Sequence, residues 1–338
     1  MSKSVVISGY YGFDNFGDEA ILGILLNYLR EKNCDITVLS NNPRKTSRFY
    51  GVRSVKNFNL LSVLISLFNS DVLISGGGSL LQDVTSPKSL IYYCLIIWIA
   101  QVLKKQVIIF AQGIGPLQRE FSRNLATKLL AKCDLITVRD TKSQEFLERA
   151  GINSELVSDP VFSVDLPISE KENTVGIQLR DFKSLNDEFL FNLAKNVVEN
   201  FADRTIELYV FQQALDYDIC KKFEKMLKML SPKIKVSIIQ NLAQNDVIIK
   251  ISRLEYMIAM RFHAVLVGLK TGTKTLAINY DAKVAKLAYE AFLPILNITP
   301  DDNFEEAFAR LQNLDENALS NFASSKTFEW EVFDEYLD

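Results

Sequence analysis

The chain has 338 residues, and one ordinary core takes about 150, so length alone predicts two domains. Its 38 Lys+Arg stand against 41 Asp+Glu, a net charge of −3 that excludes a nucleic-acid binder relying on phosphate neutralisation. With 48% hydrophobic and 11% aromatic residues, the composition excludes a disordered chain and supplies two full cores.

The first half alternates short, β-branched apolar runs with longer amphipathic stretches. Strands are predicted at 5–8, 36–39, 72–75, 107–111 and 135–138, with helices at 19–30, 60–68, 90–104, 121–131 and 141–150. Such alternation builds right-handed βαβ units on a parallel sheet. The run 90–103 is strongly apolar, but its ~14 residues fall short of the ~20 that span a bilayer, and Gln101, Lys104 and Lys105 close it. It reads as a helix buried against the sheet; a membrane-facing or dimer-forming helix is the other reading.

Residues 164–173 are polar, hold Pro167 and show no periodicity, which marks an interdomain linker. A second series follows, with strands at 175–179, 206–211, 236–239, 256–259 and 275–278 and helices at 188–201, 217–230 and 263–269. The tail 316–338, rich in Phe, Trp and acid, predicts closing helices. The expectation is an α/β protein of two Rossmann-like, doubly wound domains, 1–165 and 174–315, facing a cleft. Ligands gather at the carboxyl ends of such strands, where loop amides and helix N-termini converge. Cys34, Cys94, Cys133 and Cys220 are scattered without a CxxC pair, and no signal peptide opens the chain, which points to a reducing cytoplasm.

The turn Gly9-Tyr-Tyr-Gly-Phe-Asp-Asn-Phe-Gly-Asp-Glu-Ala20 follows the first strand. Its glycines let backbone approach a ligand, and Asn15 and Asp18 add polar groups beside a helix N-terminus. The spacing is neither GxGxxG nor a P-loop, so neither dinucleotide nor P-loop binding follows. Helix capping by Asp14 or Asp18 is the plainer reading. Gly76, Gly77 and Gly78 follow another strand and are expected to expose amides to an anion or a sugar hydroxyl, being more glycines than a tight turn needs. Gln112-Gly-Ile-Gly-Pro116 is a similar turn, whose Pro favours a structural role.

Arg139 ends a buried strand, where its fork fits a carboxylate or phosphate; an ion pair with Asp140 or a helix cap is the alternative. Arg180 holds the equivalent place in the second domain, with Gln178 beside it. The composition holds one histidine, His263, which excludes a two-imidazole metal site or acid–base pair. His263 stands at a strand-to-helix turn in Ala259-Met-Arg-Phe-His-Ala-Val265, and Lys283 lies just past the next strand. Both turns open on one sheet edge, so Arg261, His263 and Lys283 are expected to converge where a proton is handed over. A structural histidine is the plainer reading. Asp216 and Asp218 form a DxD triplet, read as an acceptor-sugar contact, although capping by Asp216 explains it equally. No metal-ligand cluster is evident.

Taken together, the Gly9 opening, Gly76-Gly-Gly, Gly113-Ile-Gly-Pro, Val138-Arg-Asp, Met260-Arg-Phe-His-Ala and Tyr280-Asp-Ala-Lys resemble the polysaccharide pyruvyl transferase family, especially its CsaB-type bacterial members. The resemblance covers roughly residues 4–290 in order. It implies a GT-B-like pair of Rossmann domains moving pyruvate from phosphoenolpyruvate onto a sugar as a ketal. It also implies a donor pocket built from Arg139, His263 and Lys283. Phe262 stands where Leu is common and Ala282 where Pro is common, which weakens the acceptor assignment more than the chemistry.

Phosphoenolpyruvate carries a carboxylate and a phosphate, a demand for cations that Arg139, Arg261 and Lys283 meet. No cofactor beyond this donor is expected. The implied acceptor is a ManNAc-type sugar, free or lipid-linked, in cell-wall or exopolysaccharide synthesis at the inner face of the membrane. Peripheral membrane contact and a homo-oligomer stay open. The rivals are a nucleotide-sugar glycosyltransferase or epimerase of GT-B type, and a non-catalytic membrane scaffold.

Overall fold

Asn15 closes the first predicted turn by capping a helix with its side chain, and the same device recurs along the chain. The computed structural model describes residues 2–84, 87–166, 169–299 and 302–337, and divides the chain into two units. Unit 1 is Met1–Ser163 with Phe328–Asp338; unit 2 is Val164–Thr327.

Unit 1 carries strands β1 Ser4–Ser8, β2 Asp35–Ser40, β3 Arg53–Lys56, β4 Val72–Ser75, β5 Gln106–Gln112, β6 Leu135–Val138 and β7 Glu155–Leu156. They form a parallel sheet in the order β3-β2-β1-β4-β5-β6-β7. The helices are α1 Phe16–Glu31, α2 Pro43–Tyr50, α3 Leu60–Phe68, α4 Pro87–Val102, α5 Glu120–Leu130 and α6 Thr141–Arg149. Val6, Leu73, Val107 and Ile109 share one buried cluster with residues of α3, α4 and α5. The central strands are buried along their length, as sequences without polar alternation require. Helix α4, which holds the apolar run, has two faces: Tyr93, Cys94, Ile97 and Ala100 are buried, whereas Ile91, Leu95, Trp98 and Val102 are exposed. No helix among the described residues is long and apolar enough to cross a membrane.

Two elements here escape the hydrophobic pattern. In α2 only Thr46 is buried, and β3 is a half-buried edge strand of sequence RSVK. The signs of α2 were Asn42 as cap, Pro43 in the first turn and left-handed Gly51 at its end.

Unit 2 carries β8 Glu172–Gln178, α7 Asp187–Phe201, β9 Thr205–Tyr209, α8 Gln213–Leu230, β10 Lys235–Ile239, α9 Gln244–Ser252, β11 Leu254–Ala259, α10 Phe262–Lys270, β12 Lys274–Asn279, α11 Ala282–Glu290, β13 Ile295–Asn297, α12 Phe304–Gln312 and α13 Glu316–Ser324. Its parallel sheet runs β10-β9-β8-β11-β12-β13, with the order reversing beside β8 and β11 as in a doubly wound fold. Of the expected linker, Pro167 and Ile168 lie outside the described residues, and Glu172 already belongs to β8.

The tail is not one closing element. Helix α13 packs on α10 in unit 2, whereas the chain from Phe328 returns to unit 1. There Trp330 stacks on Tyr28 at 4.3 Å, and Phe328, Trp330 and Phe333 surround Phe110 of β5. Tyr28 Oη donates to Asp334 at 2.6 Å, near the short closing helix α14 Asp334–Leu337. An aromatic plug therefore completes the core of unit 1, an anchorage that composition alone does not assign to either unit.

Candidate active site

In unit 2 the three central strands β8, β11 and β12 are neighbours, so the turns at their carboxyl ends lie side by side. Those turns carry Arg180, then Arg261 with His263, then Tyr280 with Lys283. His263 sits in the first turn of α10, half-buried, its ring nearly perpendicular to Phe262 at 5.3 Å and its Nε2 shielded from solvent. Lys283 sits in the first turn of α11, whose cap Asp281 accepts from the Lys283 amide at 2.8 Å. Helices α10 and α11 pack together.

Arg180 reaches across this edge. Its Nη1 donates to Tyr280 Oη at 3.3 Å, and its guanidinium lies 5.6 Å from the centre of the Tyr280 ring. Because β11 lies between β8 and β12, this contact bridges the turn that carries His263. Phe182 packs edge-on against the same tyrosine at 5.1 Å. Arg180 Nε is buried and makes no hydrogen bond among the described residues. Tyr280 was visible only as part of the Tyr-Asp-Ala-Lys motif, with nothing local to pair it with Arg180.

Helix α10 begins unusually. Most helices of this chain open on a side-chain cap or an acidic first turn, but the N-cap of α10 is Arg261, which makes no side-chain cap, and no acid follows it. The first amides of α10 are thus left without a side-chain cap or an acid in the first turn, an arrangement that favours an anion.

Arg261 and Asp216 correct two expectations. Arg261 was expected to face the donor and Asp216 an acceptor sugar; the structure ties them to each other. Arg261 Nη2 lies 2.7 Å from Asp216 Oδ1, and both side chains are buried. The carboxylate also accepts from the amides of Phe211 and Gln212, each at 2.9 Å, and so caps α8. Burial pushes the Asp216 carboxyl up, while Arg261 and these amides draw it back. Gln178 completes the node, its Oε1 accepting from the Arg261 amide at 2.7 Å. Asp218 is exposed on α8, so the DxD triplet is split between core and solvent.

Unit 1 offers a different arrangement. Arg139 is held by Asp159, Nη1 to Oδ2 at 2.5 Å, with both side chains buried. Asp140, the partner of the alternative reading, instead caps α6 through the Ser143 amide at 2.9 Å. Gly76, Gly77 and Gly78 are buried. A methyl group on them would come within 1.9 Å of Tyr11 Oη, 2.7 Å of Ile21 and 2.5 Å of Asp18 Oδ1 respectively. Close packing therefore requires all three glycines. Asn15 caps α1, and Asp18 is buried in its first turn.

Around them lies a buried group that the sequence did not announce. Glu19 accepts from the Gly12 amide at 2.7 Å and from Tyr50 Oη at 2.8 Å. Burial pushes the Glu19 carboxyl up, and burial together with Asp18 and Glu19 pushes the Tyr11 hydroxyl up. Gln112 donates to Ser75 Oγ at 2.7 Å and to the Gly76 carbonyl at 2.9 Å, locking the glycine turn to β5. Among the described residues no group of three or more His, Cys, Asp or Glu side chains is placed to hold a metal ion.

Comparison with known proteins gives this geometry a context. A family model for polysaccharide pyruvyl transferases matches residues 15–282. The amylovoran biosynthesis protein AmsJ of Erwinia amylovora is 21% identical over 254 residues, 66% of this chain and 60% of that relative. Among solved structures, the UDP-GlcNAc 2-epimerase of Methanocaldococcus jannaschii superimposes with a TM-score of 0.66 at 12% identity, covering 96% of this chain and 98% of its own. HepE of Anabaena, in complex with UDP-glucose, gives 0.62 at 11% identity, covering 99% and 98%. These two likenesses are of fold, α/β units each built on a parallel sheet.

Proposed function

This chain belongs to the polysaccharide pyruvyl transferase family, and on that premise we propose that it moves pyruvate from phosphoenolpyruvate onto two sugar hydroxyls as a ketal. The observation that carries the reading is the edge of unit 2, where the turns bearing Arg180, the chain's one histidine at the uncapped start of α10, and Lys283 lie side by side. A donor with a carboxylate and a phosphate matches that electrostatic demand.

In the proposed reaction His263 acts as general acid and protonates the methylene carbon of the donor, leaving positive charge at C2. One sugar hydroxyl adds to C2, the C2–O bond to phosphate breaks, and the second hydroxyl closes the ketal. Of the two hydroxyl protons released, one replaces that given to the methyl carbon and the other leaves with phosphate. General acid–base assistance of this kind contributes ~10²–10⁴-fold. Lys283 and Arg180 hold the donor's anionic groups, and Tyr280 orients the Arg180 fork. Arg261 acts by positioning α10.

A ManNAc-type unit of an exopolysaccharide or cell-wall precursor is the acceptor we favour, free or lipid-linked. The test is incubation with phosphoenolpyruvate and a panel of such glycosides, read by phosphate release and by mass gain of the glycoside. Release of phosphate coupled to ketal formation supports the reading. Thermal stabilisation by UDP but not by phosphoenolpyruvate, with no product, would replace it with a nucleotide-sugar activity.

A further inference from the structure

Half of the large hydrophobic side chains exposed among the described residues lie in one stretch of unit 1, on α3, on α4 and at Phe58 before α3. On α3, Val63 and Leu67 face the core while Leu61, Ile65 and Phe68 face outward, with Leu61 and Phe68 each 68% exposed. On α4, Ile91, Leu95, Trp98 and Val102 follow one another at helical spacing along one exposed stripe, with Trp98 52% exposed.

The two stripes form one surface. The helices pack together, and contacts join them at both ends. At the start Phe58 lies 5.3 Å from Tyr92, whose hydroxyl donates to the Asn57 carbonyl at 2.9 Å. At the far end Lys105 Nζ donates to the carbonyl of Phe68 at 2.8 Å. A patch of this extent on a chain of ordinary composition marks a place of contact.

Charge identifies the contact. Residues 51–70 and 87–106 contain no Asp or Glu, although the whole chain carries a net −3. Lys56 and Lys88 precede α3 and α4, and Lys104 and Lys105 follow α4, so lysines stand at both ends of the apolar surface. Arg53, the other cation of these stretches, is paired with Asp35. An apolar face with an exposed Trp and lysines at both ends, Asp71 standing beside Lys105 at the far end, matches the boundary between acyl chains and anionic headgroups.

We propose that the α3–α4 face of unit 1 seats the protein on an anionic bilayer surface, lying on it rather than spanning it. The proposal stands apart from the transfer chemistry, because soluble glycosides report that chemistry without any membrane.

The experiment is co-sedimentation of the full chain with vesicles of phosphatidylcholine alone and of phosphatidylcholine mixed with phosphatidylglycerol. Binding is expected to the mixed vesicles, at least tenfold stronger than to phosphatidylcholine, and weakened as salt is raised. Ile65→Glu and Trp98→Ala are each expected to reduce it several-fold, with the melting temperature unchanged. Lys104→Gln with Lys105→Gln is expected to flatten its salt dependence. Absence of binding to the mixed vesicles, or binding unchanged by all of these variants, overturns the proposal. So does a concentration-dependent dimer, seen by light scattering, that Ile65→Glu dissolves, because the face is then a self-interface.

Discussion

Arg261 and Asp216 are 45 positions apart in the chain, yet the guanidinium places Nη2 at 2.7 Å and Nε at 3.0 and 3.1 Å from the carboxylate oxygens. This pair fixes the start of α10, and hence the position of His263, to the start of α8. Removing one partner leaves a buried charge without compensation. Asp216→Ala is expected to destabilise the protein by ~3–5 kcal/mol, whereas Asp216→Leu combined with Arg261→Met recovers much of that loss. Thermal and urea unfolding of the two variants check the difference.

His263→Ala is expected to lower transfer by ~10²–10⁴-fold while leaving the fold intact, since the ring is half-buried at a helix start rather than in the core. Phosphate release at saturating phosphoenolpyruvate, together with the far-ultraviolet circular dichroism spectrum, separates loss of chemistry from loss of structure. Near-normal turnover would remove the imidazole from the reaction.

The contact between Arg180 and Tyr280 makes a graded prediction. Arg180→Lys keeps the charge but loses the planar fork and its stacking, so KM for phosphoenolpyruvate is expected to rise roughly ten- to a hundredfold, the equivalent of about 1.5–3 kcal/mol. Tyr280→Phe removes only the hydroxyl that lies 3.3 Å from Nη1 and is expected to raise KM a few-fold. Steady-state kinetics in donor concentration distinguish the two from an effect on kcat.

Burial pushes the thiols of Cys94, Cys133 and Cys220 up to about 12. A thiolate is the reactive form, so these three are expected to resist alkylation at pH 8 in the folded protein and to react once it is unfolded. Mass spectrometry after iodoacetamide treatment, with and without guanidinium, reads the outcome site by site.

Much of this fold was legible because its central strands are buried on both faces and spell themselves out as β-branched runs, such as those of β1, β4 and β5. What escaped is exposed or irregular. The sequence RSVK of β3 and the polar α2 offer no apolar period, and α9, α11 and α12 fell in stretches given no element. At the site, the neighbouring strand ends that carry Arg180, His263 and Lys283 follow from βαβ topology, so their adjacency could be anticipated. The partners could not. Asp159 reaches Arg139 from 20 positions away, and Asp216 reaches Arg261 from the other side of the sheet order, relationships with no local signature. Three glycines in a row looked like an open cradle because conformational freedom is visible in a sequence, whereas the crowding of Tyr11, Ile21 and Asp18 around them is not.

The return of Phe328–Asp338 to Tyr28 and Phe110 makes unit 2 topologically an insert within unit 1. The backbone passes between the units at two places, near residues 163 and 328. One half of the molecule is thus a continuous piece of polypeptide, and the other is assembled from its first and last segments.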